Sequence, residues 1–263
     1  MPRMAVSRLH DKSRIESVLR RNTYLHIYSI GDLDDFFWPH TIWYGLKTEG
    51  NLEVVALLYT GKACPTLLAE SERPPAMMDL LESIRHLLPE RFHAHLSPGG
   101  DDVFRDTHRI YSHGKHYKMA LADLSIIRQM DCSEVVRLTL TDLEEIVKFY
   151  EQSYPANWFD PRMLKTGQYF GLRRQGDLVG IAGIHVYSAK YRVAALGNIA
   201  THPAHRNKGY SRLVTARLCQ SLSATVDHIG LNVKADNSPA LSCYRKLGFE
   251  IIATYGEFTL ERK

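Results

Sequence analysis

The sequence predicts an α/β protein in two domains, and three observations carry the prediction. The chain has 263 residues, which at about 150 per domain suggests roughly two small domains or one large one. Its second half alternates runs of strand period with runs of helix period. The first half echoes that order, and the boundary is expected near Asp123 to Asp131, with domains at 1–125 and 131–263.

The second half reads more clearly. Thr141-Asp142-Leu143-Glu144-Glu145 opens a helix, with Thr141 as N-cap and acids in the first turn. Leu143, Ile146, Val147 and Tyr150 fall on one face of it. A second short helix is expected after Asp160-Pro161. Gln168–Gln175 and Leu178–Tyr187 read as strands joined at Gly176-Asp177, a hairpin signal. Arg192–Thr201 is a third strand, ended by His202-Pro203. Leu213, Val214, Leu218 and Leu222 then recur at helical spacing, so a helix begins near Gly209 or Tyr210. His228–Lys234 is a strand in which Ile229, Leu231 and Val233 alternate. Asn237-Ser238-Pro239 starts another helix, with proline where its missing N–H is harmless. Gly248 ends that helix, and Phe249–Leu260 returns as strand.

In the first half, Thr41–Lys47, Leu52–Thr60 and Thr66–Ala69 read as strands. Met77–Leu88 is an amphipathic helix behind Pro74-Pro75, and Arg91–Leu96 is a strand. Asp101–Thr107 reads as a short helix and Arg109–Leu121 as extended chain. Phe36-Phe37-Trp38 with Trp43-Tyr44 is expected to build the core of this domain. Identity between the halves is slight, so an internal duplication stands as a hypothesis.

Composition narrows the class. Apolar residues make up 44% and charged residues 24%, near the soluble globular average. No run approaches the roughly 20 apolar residues of a membrane span, and the opening MPRMAVSRLHDKSR holds no apolar leader core. A cytoplasmic address is expected. The four cysteines are scattered with no CxxC pair, which fits reduced, mostly buried thiols. Lys and Arg exceed Asp and Glu by 33 to 29, a net +4, too little by itself to indicate a nucleic-acid binder. The distribution is more telling. No acid lies between Asp177 and Asp227, while Lys190, Arg192, Arg206, Lys208, Arg212 and Arg217 are basic. Such a field suits a small polyanion, or is a solvated basic face.

The segment HPAHRNKGYS lies between a strand and a helix. Gly209 permits positive φ or close backbone approach, and the following helix presents unpaired N–H groups and a positive dipole end. Arg206 and Lys208 flank the turn. This is either a phosphate cradle, with pyrophosphate as its natural guest, or an ordinary basic turn. GxxxxGK[ST] and GxGxxG are both absent, which moves the reading away from P-loop and dinucleotide folds.

Arg206-Asn207-Lys208-Gly209-Tyr210-Ser211 resembles the (Gln/Arg)-x-x-Gly-x-(Gly/Ala) pyrophosphate loop of the GNAT superfamily of N-acetyltransferases. Asn237 to Phe249 resembles the family's Asn-x-x-Ala-x-x-x-Tyr-x-x-x-Gly-Phe signature. The likeness covers roughly Asp131 to Lys263 and departs at Ser211, where the family prefers Gly or Ala. It implies a mixed, mostly antiparallel sheet flanked by helices, preceded by a second, smaller α/β domain that is a degenerate GNAT-like fold. In that first domain the matching stretch, AESERPPAMM, carries acids and prolines where glycine and bases would be needed.

By the same resemblance, acetyl-CoA would lie as co-substrate in an opening between Arg192–Thr201 and His228–Lys234. Backbone groups of Ile199 and Thr201 would pair with its pantetheine arm, and the amides of Arg206, Asn207, Lys208, Gly209, Tyr210 and Ser211 would hold the pyrophosphate. Asn237 would reach the pantetheine or pyrophosphate region, and Tyr244 would protonate the leaving thiolate. Tyr244 is otherwise an aromatic residue packing on the sheet. The third strand lacks the acid that many members use as base, which leaves His185 on the preceding strand, either as base or as a half-buried strand histidine. Asn198 and His202 are weaker candidates. His93, His95, His113 and His116 have no ligand spacing of a known metal site, so no metal is expected.

The implied activity is acetyl transfer to a primary amine of a small molecule or peptide by direct attack in a ternary complex. Nucleic acid and membrane are not expected partners, and the chain is expected as monomer or homodimer. A non-catalytic acyl-CoA sensor is the alternative. A second rival, a nucleic-acid-associated protein using the basic stretch, predicts salt-sensitive binding that CoA does not displace.

Overall fold

The computed structural model describes residues 4–263, so the first three residues of the stretch read for a leader lie outside them. The chain forms two compact units.

The first unit takes the chain up to Lys118, Lys234–Asp236 and Ile252–Lys263. It begins with β1 (Met4–Leu9), α1 (Lys12–Leu19), α2 (Ile27–Gly31), β2 (Thr41–Thr48), β3 (Asn51–Tyr59) and β4 (Thr66–Ala69). Then follow α3 (Pro74–Ile84), β5 (Arg91–Leu96) and β6 (His108–Leu121), the last leaving the unit after Lys118. β1 to β4 pair antiparallel in chain order, and β4 joins β5 in parallel. The helix expected at Met77–Leu88 starts three residues earlier, because the two prolines occupy its first turn. Leu80, Leu81 and Ile84 of that helix pack with Phe92, Phe104 and Leu260 as the unit's core. Phe37, Trp43 and Tyr44 are buried as expected, and Trp38 stacks on Trp43 at 5.9 Å.

The second unit takes Met119–Val233 and Asn237–Ile251. It contains α4 (Ser125–Gln129), β7 (Val135–Arg137), α5 (Leu143–Ser153), β8 (Phe170–Arg174), β9 (Asp177–Ser188) and β10 (Val193–Thr201). Next come α6 (Tyr210–Leu222), β11 (His228–Lys234), α7 (Ser238–Arg245) and β12 (Phe249–Arg262). β7 to β10 pair antiparallel in chain order, and β10 joins β11 in parallel. The first unit's order is repeated, four antiparallel strands closing on a parallel pair. Within each unit the strand pairing is mixed and mostly antiparallel.

Local details depart from the sequence reading in three places. The turn before α5 is capped by Thr139 rather than Thr141: the Thr139 hydroxyl accepts the Thr141 N–H at 3.3 Å, and Asp142 Oδ2 accepts the Thr139 N–H at 2.8 Å. The reciprocal box satisfies two orphan donors where one cap would satisfy one. The short helix after Asp160 is a 3₁₀ turn over Pro161–Thr166. The third departure is in β12. From Ile252 onward it belongs to the first unit, where Gly256–Glu261 pairs antiparallel with β5.

Candidate functional site

The site is built where β10 leaves β11. The two strands pair in parallel from Val193↔His228 to Leu196↔Leu231, yet β10 continues to Thr201 and β11 to Lys234. Past Leu196 the edge of β10 that faced β11 is therefore without ladder partners. On its other edge β10 remains paired to β9, through Ala200↔Ile181 and Thr201↔Gly180. Two register shifts mark the divergence, one between Ala195 and Leu196, the other between Gly197 and Ala200. Bulges of this kind bend a strand and strengthen its twist. The first unit differs at the matching place: β4 stays paired with β5 to its last residue, Ala69↔Leu96.

Ile199 and Thr201 lie on the freed part of β10. Among the described residues, Thr201 Oγ1 and Asn232 Oδ1 are buried polar atoms without a hydrogen-bond partner. Such atoms are costly to leave unmet, and a bound molecule is one way to meet them.

Beyond Thr201 the chain turns through His202, whose Nδ1 accepts the Ala204 N–H at 3.3 Å and whose N–H donates to Val179 O at 2.9 Å. Arg206, Asn207, Lys208 and Gly209 are all exposed. Asn207 and Gly209 both take left-handed backbone, at φ 63° and 79°. Gly209 is the N-cap of α6, and no side chain caps that end. The first helical bond runs from the Leu213 N–H to Gly209 O at 3.1 Å, so the N–H groups of Tyr210, Ser211 and Arg212 precede the ladder. A Cβ on Gly209 would meet nothing within 4 Å. The glycine answers to its positive φ and to clearance on the outer side, not to a neighbour within the protein.

Arginine chemistry surrounds this end. The Arg174 guanidinium lies 5.1 Å from the Tyr210 ring centre and its Nε donates to Tyr210 OH at 3.4 Å. His205 stacks on the Tyr210 ring, with the ring centres 6.3 Å apart. Arg192 is engaged elsewhere, in a bidentate pair with Asp227. The basic stretch is thus divided between an ion pair and the α6 front.

Tyr244 lies on α7 with 8% of its surface exposed, its ring 5.9 Å from Phe249. Burial first, then the neighbouring Cys243, push its phenol well above the ordinary tyrosine value. α7 meets the α6 front through Cys243, whose thiol donates to Ser211 Oγ at 3.8 Å. The first turn of α6 and the helix that bears Tyr244 are thereby joined. Asn237 stands at the start of α7. Its Oδ1 accepts the Ala240 N–H at 3.2 Å as the N-cap of α7, which engages that oxygen in the helix start. Gly248 ends α7 at φ 88°, and its carbonyl accepts the N–H groups of Ala122 and Asp123.

His185 is the extra residue of the first bulge, between Ile184 and Val186, which pair with consecutive residues of β10. A Cβ on Gly197 would fall 2.1–2.5 Å from three of its ring atoms. The imidazole therefore lies across the backbone at the point where β10 departs. The sequence named His185 for its chemistry, whereas the bulge that places it has no local signature.

Asn198 is more central than the sequence suggested. It is buried, at φ 54°, and its carbonyl accepts a hydrogen bond from the Tyr150 hydroxyl at 2.6 Å. The Tyr150 and Tyr169 phenols are both pushed up, chiefly by burial. Neither carries a sequence signal of a site, because aromatic residues near strands usually signal core.

Of the four histidines weighed as metal ligands, His95 packs 4.7 Å from the Tyr255 ring and the other three are engaged by side chains. Thr259 Oγ1 lies 3.0 Å from His93 Nδ1 and 2.7 Å from His113 Nε2, and Glu257 lies 3.2 Å from His116 Nε2. No group of His, Cys, Asp or Glu among the described residues is arranged to hold a metal ion. No helix among them is long and apolar enough to cross a membrane.

Comparison with known proteins agrees with this geometry. Residues 133–249 match the model of the acetyltransferase (GNAT) family. An uncharacterised protein of Mycobacterium leprae is 34% identical over 107 residues, 39% of this chain and 28% of the relative. Streptothricin acetyltransferase of Streptomyces lavendulae is 33% identical over 75 residues, 28% of this chain and 39% of the relative. The chain thus spans well under half the length of these curated relatives. In fold, a tandem GNAT protein from the clavulanic acid biosynthesis pathway superposes over 98% of both chains, with a TM-score of 0.59 and 14% identity. That likeness extends the fold to the first unit, whose strand order repeats the second. The stretch that matches the acetyltransferase (GNAT) family model, residues 133–249, makes up a little under half of this chain.

Proposed function

We propose that the chain is an acetyl-CoA-dependent N-acetyltransferase acting on a primary amine of a small molecule or peptide. One observation carries the reading: an uncapped helix front behind two left-handed residues, Asn207 and Gly209, stands next to a strand freed of its parallel partner. Three N–H groups aimed away from the helix, with its dipole and with Arg206 and Lys208 beside them, favour a diphosphate. The free edge of β10 at Ile199 and Thr201 offers main-chain groups to the amide-bearing arm of the coenzyme. Thr201 Oγ1 and Asn232 Oδ1 fit such a guest, since both are buried acceptors in want of a partner.

Chemically, the neutral amine attacks the thioester carbonyl, and the C–S bond breaks as the new C–N bond is completed. The sulfur leaves as a thiolate and takes a proton. Tyr244 is the assigned donor, its phenol kept protonated by burial. His185 is the assigned acceptor of the amine proton, an imidazole at the departure point of β10. Attack is direct, in a ternary complex: burial pushes the Cys243 thiol up, which opposes its use as an acyl carrier.

The test is release of free CoA thiol from acetyl-CoA across a panel of primary amines that includes streptothricin. Turnover with at least one amine is the expected result. Tight acetyl-CoA binding without turnover across the panel would favour the sensor.

A further inference from the structure

One buried residue at the departure point of β10 has no part in the roles assigned so far. Asn198 is 4% exposed and sits in the bulge between Gly197 and Ala200. Its φ of 54° is unusual for a residue with a side chain, although asparagine tolerates it better than most. Both the nitrogen and the oxygen of its amide are engaged. Nδ2 donates to Tyr169 OH at 3.0 Å, and Oδ1 accepts the Trp158 N–H at 3.0 Å. Its main-chain carbonyl accepts from Tyr150 OH at 2.6 Å. Tyr169 OH in turn donates to Ile184 O at 3.1 Å, the residue before His185.

The bond to Trp158 differs in kind from the others. Residues 157–160 belong to no helix or strand, so no ladder holds that backbone. Asn198 is an anchor reaching across 40 residues of sequence. The anchored segment is aromatic. Phe159 packs 5.3 Å from the Tyr150 ring and 5.5 Å from the Tyr169 ring, while Tyr154 is 40% exposed and Trp158 is half-buried. The Asn198 side chain thus links the strand assigned to the donor with an aromatic segment whose rings are partly exposed.

We propose that Asn198 is a positioning residue whose side chain pins Trp158, and with it residues 154–159, beside the β10 departure point, where that aromatic segment receives the acceptor amine. The backbone of Ile199 and Thr201 stays available to the donor, because β10 has lost its pairing to β11 beyond Leu196. This rests on the acetyltransferase reading.

The experiment uses three variants of the full chain. Asn198→Gly keeps the left-handed backbone without steric cost and removes both amide bonds. Asn198→Asp keeps the oxygen that accepts from Trp158, and Tyr169→Phe removes the partner of Nδ2 together with the bond to Ile184 O. Hydrogen exchange at the Trp158 amide should quicken at least about tenfold in Asn198→Gly and stay within about threefold of the parent in Asn198→Asp. Acceptor KM should rise about tenfold in Asn198→Gly, more than kcat falls, with the acetyl-CoA Kd within about threefold. Tyr169→Phe should give a smaller rise. Unchanged exchange and unchanged acceptor KM in Asn198→Gly would overturn the proposal. So would a loss of acetyl-CoA affinity as large as the rise in acceptor KM, which would mean that Asn198 merely shapes β10. If the parent acetylates no amine, the acetyltransferase reading falls, and exchange at Trp158 still decides the anchor.

Discussion

The Cys243 thiol donates to the Ser211 hydroxyl at 3.8 Å, joining the helix of Tyr244 to the first turn of α6. Serine stands at the position where relatives in the family prefer a smaller residue, and the contact gives its hydroxyl a partner on the inner side. The amide, rather than the hydroxyl, then faces the proposed diphosphate. Ser211→Ala should therefore weaken acetyl-CoA binding by less than about threefold by calorimetry, since it removes one weak thiol contact. A loss of a hundredfold would show that the hydroxyl itself holds the ligand.

Gly209 separates backbone from electrostatics. Asparagine accepts positive φ, and the space around Gly209 is open, so Gly209→Asn should fold with a stability loss of about 1 kcal/mol or less. Gly209→Glu places a carboxylate against the diphosphate and should abolish measurable acetyl-CoA binding. Thermal melts of both proteins check that the loss lies in binding rather than folding. Equal affinity in Gly209→Glu and the parent would remove the loop from the site.

Tyr244→Phe should lower kcat by about a hundredfold while acetyl-CoA binding changes less than threefold. The pH dependence has a definite sign. A phenol raised above its ordinary value of about 10 stays protonated across the working range, so it remains a competent acid there. Any fall in rate on the alkaline side below about pH 10 must then persist in Tyr244→Phe. An alkaline limb that vanishes in this variant would contradict the burial argument.

His26 links acidity to the stability of the first unit. Burial, reinforced by the Lys118 ammonium, pushes its pKa down to about 3. The unfolded chain binds a proton at His26 near pH 6.5 and the folded chain does not until about 3, so stability falls as pH drops through that window. Replacing His26 by Gln should remove part of that dependence, about 2–3 kcal/mol between pH 7 and pH 4. Denaturant melts at the two pH values measure it. Parallel pH dependence in parent and variant would show that His26 titrates as it does in solvent.

Much of the second unit was legible because its signals are local. Gly209 before a helical pattern, Pro239 in a first helical turn and Gly248 after a last one mark element ends by backbone chemistry alone. The hairpin read at Gly176-Asp177 is of the same kind, its turn falling one residue earlier at Gln175-Gly176, where both residues hold positive φ. What stayed hidden depends on register or on distant chain. Nothing near His185 says that it is the extra residue of a bulge, and nothing near Asn198 says that an asparagine will hold left-handed backbone inside a strand. The second half of β12 reads as an ordinary strand, and its pairing with β5 is a choice of partner that alternation cannot encode. α1 escaped notice because its buried face consists of only Ile15, Val18 and Leu19 among polar residues.

The central claim is that the amides at the front of α6 receive the diphosphate of acetyl-CoA. Titrating isotope-labelled protein with the coenzyme and following backbone amide resonances tests it most directly. The account predicts that the largest shifts fall on Asn207 to Arg212, with a second group at Ile199 and Thr201 on β10. Saturable binding that leaves those resonances unmoved, or shifts confined to other elements, would contradict it.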